Sequence, residues 1–143
     1  WWEGRRSIGM GNHPLKIALI SSEVYPLAKT GGLADAVGGL ARSLAARGQR
    51  VIIFHPYYRA VKDHLRRINL KAEPTPVRLK IRIGSEEVEG GIRKVLLPGG
   101  ITVYLVEQDG YFGGRDGVYQ DEKGGYLDNP ERFVFFEEAV LRG

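Results

Sequence analysis

The stretch that decides the fold begins with Lys16-Ile17-Ala18-Leu19-Ile20 and ends with Val51-Ile52-Ile53-Phe54. Both runs are continuously apolar, which is typical of strands buried on both faces of a parallel sheet. Between them, residues 33–47 carry apolar side chains at helical spacing, and Gly48 follows as a helix stop. Strand, helix and strand in succession predict a βαβ unit, whose crossover is almost always right-handed.

The next segment predicts a short helix and then a β-hairpin inserted into this fold. Residues 57–67 can form the helix, and two prolines interrupt the chain at 74 and 76. Residues 77–83 alternate between apolar and polar, as half-buried antiparallel strands do. Gly84-Ser85 is a turn signal, so residues 88–97 are predicted to be the returning strand, weakened by Gly90-Gly91.

The last third predicts a buried strand, a long loop and a helix. Residues 101–106 are apolar, whereas residues 109–128 are rich in Gly, Asp and Tyr. Asp128 or Asn129 can cap the final helix, with Pro130 at its first position. Four apolar residues are predicted to share one face of this helix: Phe133, Phe136, Val140 and Leu141.

These elements predict an α/β fold with a Rossmann-like, mostly parallel sheet and a β-hairpin insertion. A doubly wound sheet normally has five or more strands. Three buried strands and a hairpin therefore indicate a domain that is incomplete at the C-terminus, with an unpaired sheet edge. We expect residues 1–14 to be a disordered or remnant N-terminal segment, with Met10 as a candidate start, and residues 15–143 to form the domain.

Composition excludes several functional classes. The 143 residues include no cysteine, so a disulfide scaffold or a thiolate metal site is not possible. No apolar run approaches the roughly 18 residues of a membrane span, and residues 1–12 lack the apolar core of a signal peptide. The net charge is +4, with basic residues concentrated in 59–82. They alternate there with apolar residues as the wet face of a strand, which disfavours nucleic-acid binding.

The candidate site is the stretch Lys29-Thr30-Gly31-Gly32-Leu33-Ala34-Asp35, at the start of the first helix. Free amides at a helix N-terminus attract anions, glycines permit close approach of a ligand, and Lys29 adds a charge. The order of residues fits neither the dinucleotide fingerprint nor a P-loop. Ligands of open α/β sheets bind outside the carboxyl ends of the strands. The stretch therefore predicts a diphosphate or sugar-phosphate site.

Residues 22–38 closely resemble the N-terminal signature of bacterial glycogen synthases and plant starch synthases. The resemblance continues in family order to residue 143, through these matches: Pro56-Tyr57-Tyr58, Tyr111-Phe112, Arg115, Tyr119, Tyr126-Leu127-Asp128-Asn129 and Arg132-Phe133. Arg115 departs from the family spacing, which leaves its role open. As a set, these motifs are highly specific.

The resemblance implies a partial N-terminal domain of a GT-B glycosyltransferase, a fold of two Rossmann-like domains facing a cleft. Such enzymes transfer glucose from ADP-glucose, or UDP-glucose in some members, to the 4-hydroxyl at the non-reducing end of an α-1,4-glucan. Configuration is retained, and neither a metal nor a cofactor is implied. The C-terminal GT-B domain, the His- and Asp-bearing motif and the diphosphate clamp would lie beyond residue 143, so we expect this chain alone to be inactive.

The resemblance also implies roles for particular residues. Lys29 would contact the sugar nucleotide near its phosphates, and Gly31 and Gly32 would offer their backbone. Asp35 would lie at the mouth of the cleft, although an acid in the first helical turn also complements the helix dipole. Tyr119 aligns with a family tyrosine near the glucosyl site. No residue of this stretch is assigned a certain catalytic role.

Several interpretations stay open at this point. Glu23 could face the cleft or anchor the loop, and His55 could be structural or catalytic. The aromatic residues of 111–126 could line a glucan groove or simply pack the long loop. A non-catalytic sugar-nucleotide or glucan-binding module and a GT-B enzyme with another acceptor remain alternatives. The bacterial-type cytoplasm is the expected compartment, or the plastid for a plant precursor.

Overall fold

The computed structural model describes residues 13–143. Most of the predicted remnant segment, residues 1–12, lies outside this range, and His13 and Pro14 are exposed and irregular. The elements in chain order are β1 (Lys16–Ile20), α1 (Gly32–Ala46), β2 (Arg50–Pro56), α2 (Arg59–Arg67), β3 (Glu73–Ile83), β4 (Glu86–Leu97), β5 (Ile101–Glu107), a π-helical turn (Asp109–Gly113), β6 (Gln120–Asp121), β7 (Gly124–Gly125) and α3 (Asn129–Arg142).

The main sheet has five strands in the order β1-β2-β5-β4-β3. β1 pairs with β2 and β2 pairs with β5 in parallel, which gives the predicted βαβ unit and a parallel core. β4 and β3 extend the sheet as an antiparallel hairpin whose turn residue Gly84 has a φ of +61°. The predicted Rossmann-like fold with a hairpin insertion is therefore confirmed. The carboxyl ends of all three parallel strands lie at the same edge.

The prediction that β1 is buried on both faces is wrong. Ile17 and Leu19 are half-buried, whereas Ala18 is exposed and Ile20 is 55% exposed. Within residues 13–143, β1 pairs with β2 alone and forms an edge of the sheet. The side chains of β1 are apolar on both faces of the strand, but residues 13–143 cover only the face that carries Ile17 and Leu19.

The two prolines, which were predicted to interrupt the chain before the strand, lie inside it. β3 begins at Glu73, four residues before the predicted start at Val77, and includes Pro74 and Pro76. Proline is tolerated here because β3 is the other edge strand, where an amide need not donate to a neighbour. A register shift between Pro74 and Arg78 marks the irregularity.

Two glycines make close packing possible. A Cβ on Gly38 of α1 would lie 2.6 Å from the Tyr25 carbonyl oxygen, so this glycine admits the loop after β1 rather than the sheet. A Cβ on Gly90 of β4 would lie 2.8 Å from Cζ of Phe135 and 2.7 Å from the backbone carbonyl oxygen of Glu107. Gly90 therefore lets the Phe135 ring of α3 rest directly on the sheet.

The buried stripe of α3 begins one residue earlier than predicted. Its buried members are Arg132, Phe135, Phe136 and Ala139. Leu141, which the apolar pattern placed in the stripe, is 81% exposed. The pattern was misleading because the stripe includes an arginine, and Arg132 is fully buried.

We expect Gly90→Ala to destabilise the fold by about 1–3 kcal/mol, the usual cost of overpacking. Gly91→Ala is the matched control, because the nearest atom to its Cβ would be the Val77 oxygen at 3.6 Å, an ordinary contact. Urea unfolding of both variants measures the difference. Equal losses in the two variants would contradict this account of α3 packing.

Candidate functional site

The loop between β1 and α1 is tied to the sheet and to the helix it precedes. The Ser21 amide donates to the Phe54 carbonyl of β2 at 3.1 Å, and the Tyr25 amide donates to the Ala34 carbonyl of α1 at 3.0 Å. Val24 and Ala28 form a β-bridge within the loop. The loop therefore has a defined shape at the carboxyl edge of the parallel strands.

The carboxylate of Glu23 is the centre of this loop. Its Oε2 accepts hydrogen bonds from the amides of Thr30 at 2.6 Å and Gly31 at 3.1 Å, and its Oε1 accepts from the Thr30 hydroxyl at 2.7 Å. Glu23 is 4% exposed. Of the two roles left open by the sequence, the structure shows the anchor. Two backbone amides before the helix, of the type that binds phosphate, are thus already bonded to an internal anion.

The surroundings of Glu23 favour its charged form. Burial by itself would raise the pKa of this carboxyl group, but the hydrogen bonds from Thr30 and Gly31, together with the nearby Tyr119 hydroxyl, outweigh burial and lower the pKa below its ordinary value. Charge-assisted hydrogen bonds of this kind are stronger than neutral ones. Glu23 is therefore an ionised anchor at neutral pH.

Lys29 and Asp35 pair with each other across the first turn of α1. The Nζ atom of Lys29 lies 2.7 Å from Oδ2 of Asp35, and the side chains are 48% and 54% exposed. The hydrogen bond and the charge of Asp35 raise the pKa of Lys29. Because both groups are half exposed, water screens their attraction. An anionic ligand can therefore compete with Asp35 for Lys29.

Gly31 and Gly32 border open space. Apart from atoms of the adjacent residues and of the α1 backbone, a Cβ on either residue would have no heavy atom within 4 Å, and neither residue has a positive φ. The backbone conformation thus does not require glycine, whereas close approach of a ligand would. Gly32 is the first residue of α1, so its amide has no acceptor within the helix. With Glu23 bonded to Thr30 and Gly31, the Gly32 amide is the next donor along the loop.

Tyr119 reaches this loop from a distant part of the chain. Its hydroxyl lies 2.7 Å from Oγ of Ser22, a residue 97 positions earlier. Burial, together with the nearby Glu23 carboxylate, raises the pKa of the phenol. The structure therefore brings Tyr119 to the loop that carries Lys29 and Gly31 and that leads into Gly32 and Asp35 of α1. Sequence reasoning missed the bond to Ser22, because no local pattern connects the two residues.

Two other candidate residues, His55 and Arg115, make contacts within the fold that indicate structural roles. His55 is fully buried, its Nδ1 donates to the Pro56 carbonyl at 2.6 Å, and burial lowers its pKa to about 4, so the ring is neutral at physiological pH. Arg115, whose role the sequence left open, forms two bonds to the Asp128 carboxylate at 2.7 and 2.5 Å. Its guanidinium also lies over the Tyr126 ring, 4.7 Å from the centroid.

In residues 13–143, no group of three or more His, Asp or Glu side chains is arranged to hold a metal ion. In the same range, no helix is both long and apolar enough to cross a membrane.

The chain is similar to glycogen synthases and to the catalytic domain of starch synthases. A family profile described as the starch synthase catalytic domain matches residues 16–142. A glycogen synthase of Moorella thermoacetica is 47% identical over 132 residues, which cover 91% of this chain and 24% of that protein. Glycogen synthase 2 of Geobacter metallireducens is 41% identical over 128 residues, 90% of this chain and 25% of that protein. The chain thus spans about a quarter of these relatives.

A solved structure shares the fold. The catalytic domain of starch synthase IV from Arabidopsis thaliana, bound to ADP and acarbose, matches with a TM-score of 0.67 at 22% identity. The match covers 91% of this chain and 25% of that one. This likeness confirms the predicted GT-B type of α/β fold.

We expect Glu23→Gln to lower the free energy of unfolding by about 1–3 kcal/mol at neutral pH, the cost of weakening hydrogen bonds to a buried charge. The folded pKa of Glu23 lies below the ordinary 4.5. Its charge therefore stabilises the fold above about pH 4.5, and this contribution is lost as the pH falls through the folded pKa.

Urea unfolding between pH 3 and pH 8 measures this difference. The gap between wild type and Glu23→Gln should close at the acidic end, whereas the exposed Glu86→Gln control should follow the wild type throughout. A gap that is independent of pH would show that the charge of Glu23 does not stabilise the loop.

Proposed function

Because this chain belongs to the starch synthase catalytic-domain family, we propose that the protein is a glycosyltransferase that extends an α-1,4-glucan. The donor is ADP-glucose or UDP-glucose, and the acceptor is the 4-hydroxyl at the non-reducing end of glycogen or starch. The configuration of the transferred glucose is retained. The chain spans about a quarter of its relatives, so this proposal concerns the whole protein.

The observation that carries the proposal is a pair of hydrogen-bond donors, the Lys29 ammonium group and the Gly32 amide, that a ligand can reach. Lys29 is half exposed and paired with a half-exposed partner, and the amide of Gly32 has no acceptor within α1. Both lie where the loop after β1 meets α1, at the carboxyl edge of the parallel strands, where ligands of α/β sheets bind. A diphosphate is the chemical group that matches a lysine beside a helix N-terminus.

In the proposed reaction, the Lys29 ammonium group and the Gly32 amide stabilise the leaving nucleoside diphosphate. Negative charge develops on the diphosphate as its bond to glucose breaks, and donors that are already positioned lower the barrier without reorganisation. Lys29 exchanges its bond to Asp35 for one to a phosphate oxygen. Glu23 keeps the Thr30 and Gly31 amides in place, so that the loop does not rearrange during the exchange. The proposal requires neither a metal nor a cofactor.

The remaining candidate residues have distinct roles in this proposal. Gly31 and Gly32 keep the space beside the loop open for the donor. Asp35 holds Lys29 in position while the site is free, in addition to complementing the dipole of α1. Tyr119 lies next to the glucosyl group, at the end of the loop marked by Ser22.

A second domain completes the proposed enzyme. We place residues 15–143 in the N-terminal Rossmann-like domain, and the cleft forms when the C-terminal GT-B domain faces the carboxyl edge of the sheet. The proposed compartment is the cytoplasm, or the plastid if the source is a plant; the absence of cysteine agrees with a reducing compartment.

The test is glucose incorporation into glycogen by the full-length protein, with ADP-glucose or UDP-glucose and no added metal. Lys29→Ala should reduce kcat/KM about 10²–10³-fold, because it removes a charge that stabilises the leaving group. Lys16→Ala is the matched control: Lys16 is exposed at the opposite end of β1. Incorporation from one donor, lost only in Lys29→Ala, would identify that donor.

Two outcomes would contradict the proposal. No incorporation from either donor by the folded wild type would favour a binding module or another acceptor. Equal activity of Lys29→Ala and Lys16→Ala would remove Lys29 from the site. Circular dichroism of each variant shows whether the fold is retained.

We also expect the 143-residue chain by itself to show no glucose incorporation. Half of the proposed cleft is contributed by the second domain, so the chain cannot enclose the donor. The same assay at equal molar concentration, beside the full-length protein, measures this. Incorporation by the isolated chain above the protein-free blank would show that residues 1–143 contain the whole catalytic apparatus.

A further inference from the structure

Arg132 is a buried arginine that has no carboxylate partner among residues 13–143. Its side chain is fully buried, yet each of its hydrogen bonds goes to a neutral oxygen. Nε donates to the Tyr111 carbonyl at 2.7 Å, and Nη1 donates to the Val118 carbonyl at 2.9 Å and to Oδ1 of Asn129 at 2.5 Å. The nearby Asp128 carboxylate is bonded to Arg115 instead.

A buried charge of this kind is costly for the fold. Burial lowers the pKa of Arg132, as expected of a charge removed from water. Aromatic faces offset part of the cost, because the guanidinium carbon lies 4.8 Å from the Tyr126 ring centroid and 5.4 Å from that of Phe133. An apolar side chain would fill the α3 stripe without this cost, so the specific contribution of Arg132 is its bonds to the loop.

Those bonds fix the backbone on both sides of Tyr119. Arg132 holds the Val118 carbonyl, and Nδ2 of Asn129 donates to the Tyr119 carbonyl at 2.9 Å. The amide of Tyr126 donates to the same Tyr119 carbonyl at 3.0 Å. The Tyr119 hydroxyl then meets Ser22 at 2.7 Å. A continuous chain of hydrogen bonds thus connects α3 with the loop that carries Lys29.

At the start of α3, the side chains of Asp128 and Asn129 bond to the preceding loop and to Arg132 and do not cap the helix. Asp128 occupies the N-cap position but forms no capping hydrogen bond, so the predicted side-chain cap is wrong. Its carboxylate holds Arg115, while the Asn129 amide holds Tyr119 and Arg132. Asp and Asn are favoured caps because their oxygens can accept from the first helical amides. Here both side chains point to the loop instead.

We infer that Arg132 and Asn129 are positioning residues, which set Tyr119 against Ser22 and thereby stiffen the donor-binding loop of residues 22–31. Neither residue touches the donor, and both act through Tyr119. The kinetic part of this inference rests on the proposed function. The mechanical part, a link between α3 and the loop, does not.

Asn129→Asp tests the link with little change of shape. The aspartate keeps an acceptor for Arg132 and adds a negative charge beside it, while the group that faces the Tyr119 carbonyl changes from a donor to an acceptor. The bond to Tyr119 therefore breaks, whereas the bond to Arg132 is retained. In the full-length protein, we expect kcat/KM for the sugar nucleotide to fall roughly 3- to 10-fold, the size expected for one hydrogen bond. Phe136→Leu is the control, because it weakens buried packing of α3 without touching the Tyr119 connection.

A double-mutant cycle separates positioning from general destabilisation. If Asn129 acts through the Tyr119 hydroxyl, Asn129→Asp should have almost no further effect in a Tyr119→Phe background. Phe136→Leu should have the same effect in both backgrounds. Independent, additive losses from Asn129→Asp and Tyr119→Phe would overturn the inference.

Amide hydrogen exchange gives a readout that does not depend on activity. Asn129→Asp and Tyr119→Phe should each accelerate exchange in a peptide covering residues 22–31, whereas Phe136→Leu should not. If Asn129→Asp does not fold, Tyr119→Phe still tests the bond to Ser22 through which both residues act, since it removes a single hydroxyl. Unchanged exchange at 22–31 in Tyr119→Phe would overturn the inference. If the variants exchange faster at residues 22–31 but the wild-type protein shows no glucose transfer, the link between α3 and the loop is upheld and the proposed function is rejected.

Discussion

The Glu23 carboxylate, bonded to the amides of Thr30 and Gly31, is the interaction on which the site depends. It places a negative charge, present at neutral pH, just before the N-terminus of α1, where a helix favours an anion. These bonds close the loop between β1 and α1 and hold the two residues that follow Lys29. It also divides the loop's donors into two groups. The Thr30 and Gly31 amides serve the fold, while Lys29 and the Gly32 amide are left for a ligand.

The rest of the structure supports this division from two sides. The parallel strands bring the loop to their carboxyl edge, and Gly38 lets α1 approach the loop backbone at Tyr25. From the other side, α3 rests on the sheet through Gly90 and reaches back through Arg132, Asn129 and Tyr119. The loop is thus held by its own carboxylate and by a tyrosine from a distant segment. A site prepared in this way loses little conformational entropy when its ligand binds.

Local pattern predicted most of the fold and part of the site. The apolar runs of β1 and β2 and the periodicity of α1 fix the βαβ unit, and the alternation in β3 fixes the hairpin. Anchoring of the loop by Glu23 was one of two alternatives that the sequence left open, and the Ser22–Tyr119 bond was not predicted. These contacts join residues 7, 8 and 97 positions apart, which neither periodicity nor turn chemistry connects. The buried stripe of α3 was displaced since it contains Arg132, a residue that apolar patterns exclude. The burial of β1 was overestimated because, within residues 13–143, this apolar strand pairs with β2 alone, and its composition does not distinguish that position from a central one.

The most direct test of the central claim is a crystal structure of the full-length protein with ADP bound. We predict that a phosphate oxygen accepts from Nζ of Lys29 and from the Gly32 amide. Lys29 should have left Asp35, while Glu23 still holds the Thr30 and Gly31 amides. A phosphate bonded to the Thr30 and Gly31 amides, with the Glu23 side chain displaced, would contradict the account. In that case Glu23 would be a stand-in for the ligand rather than the anchor of its site.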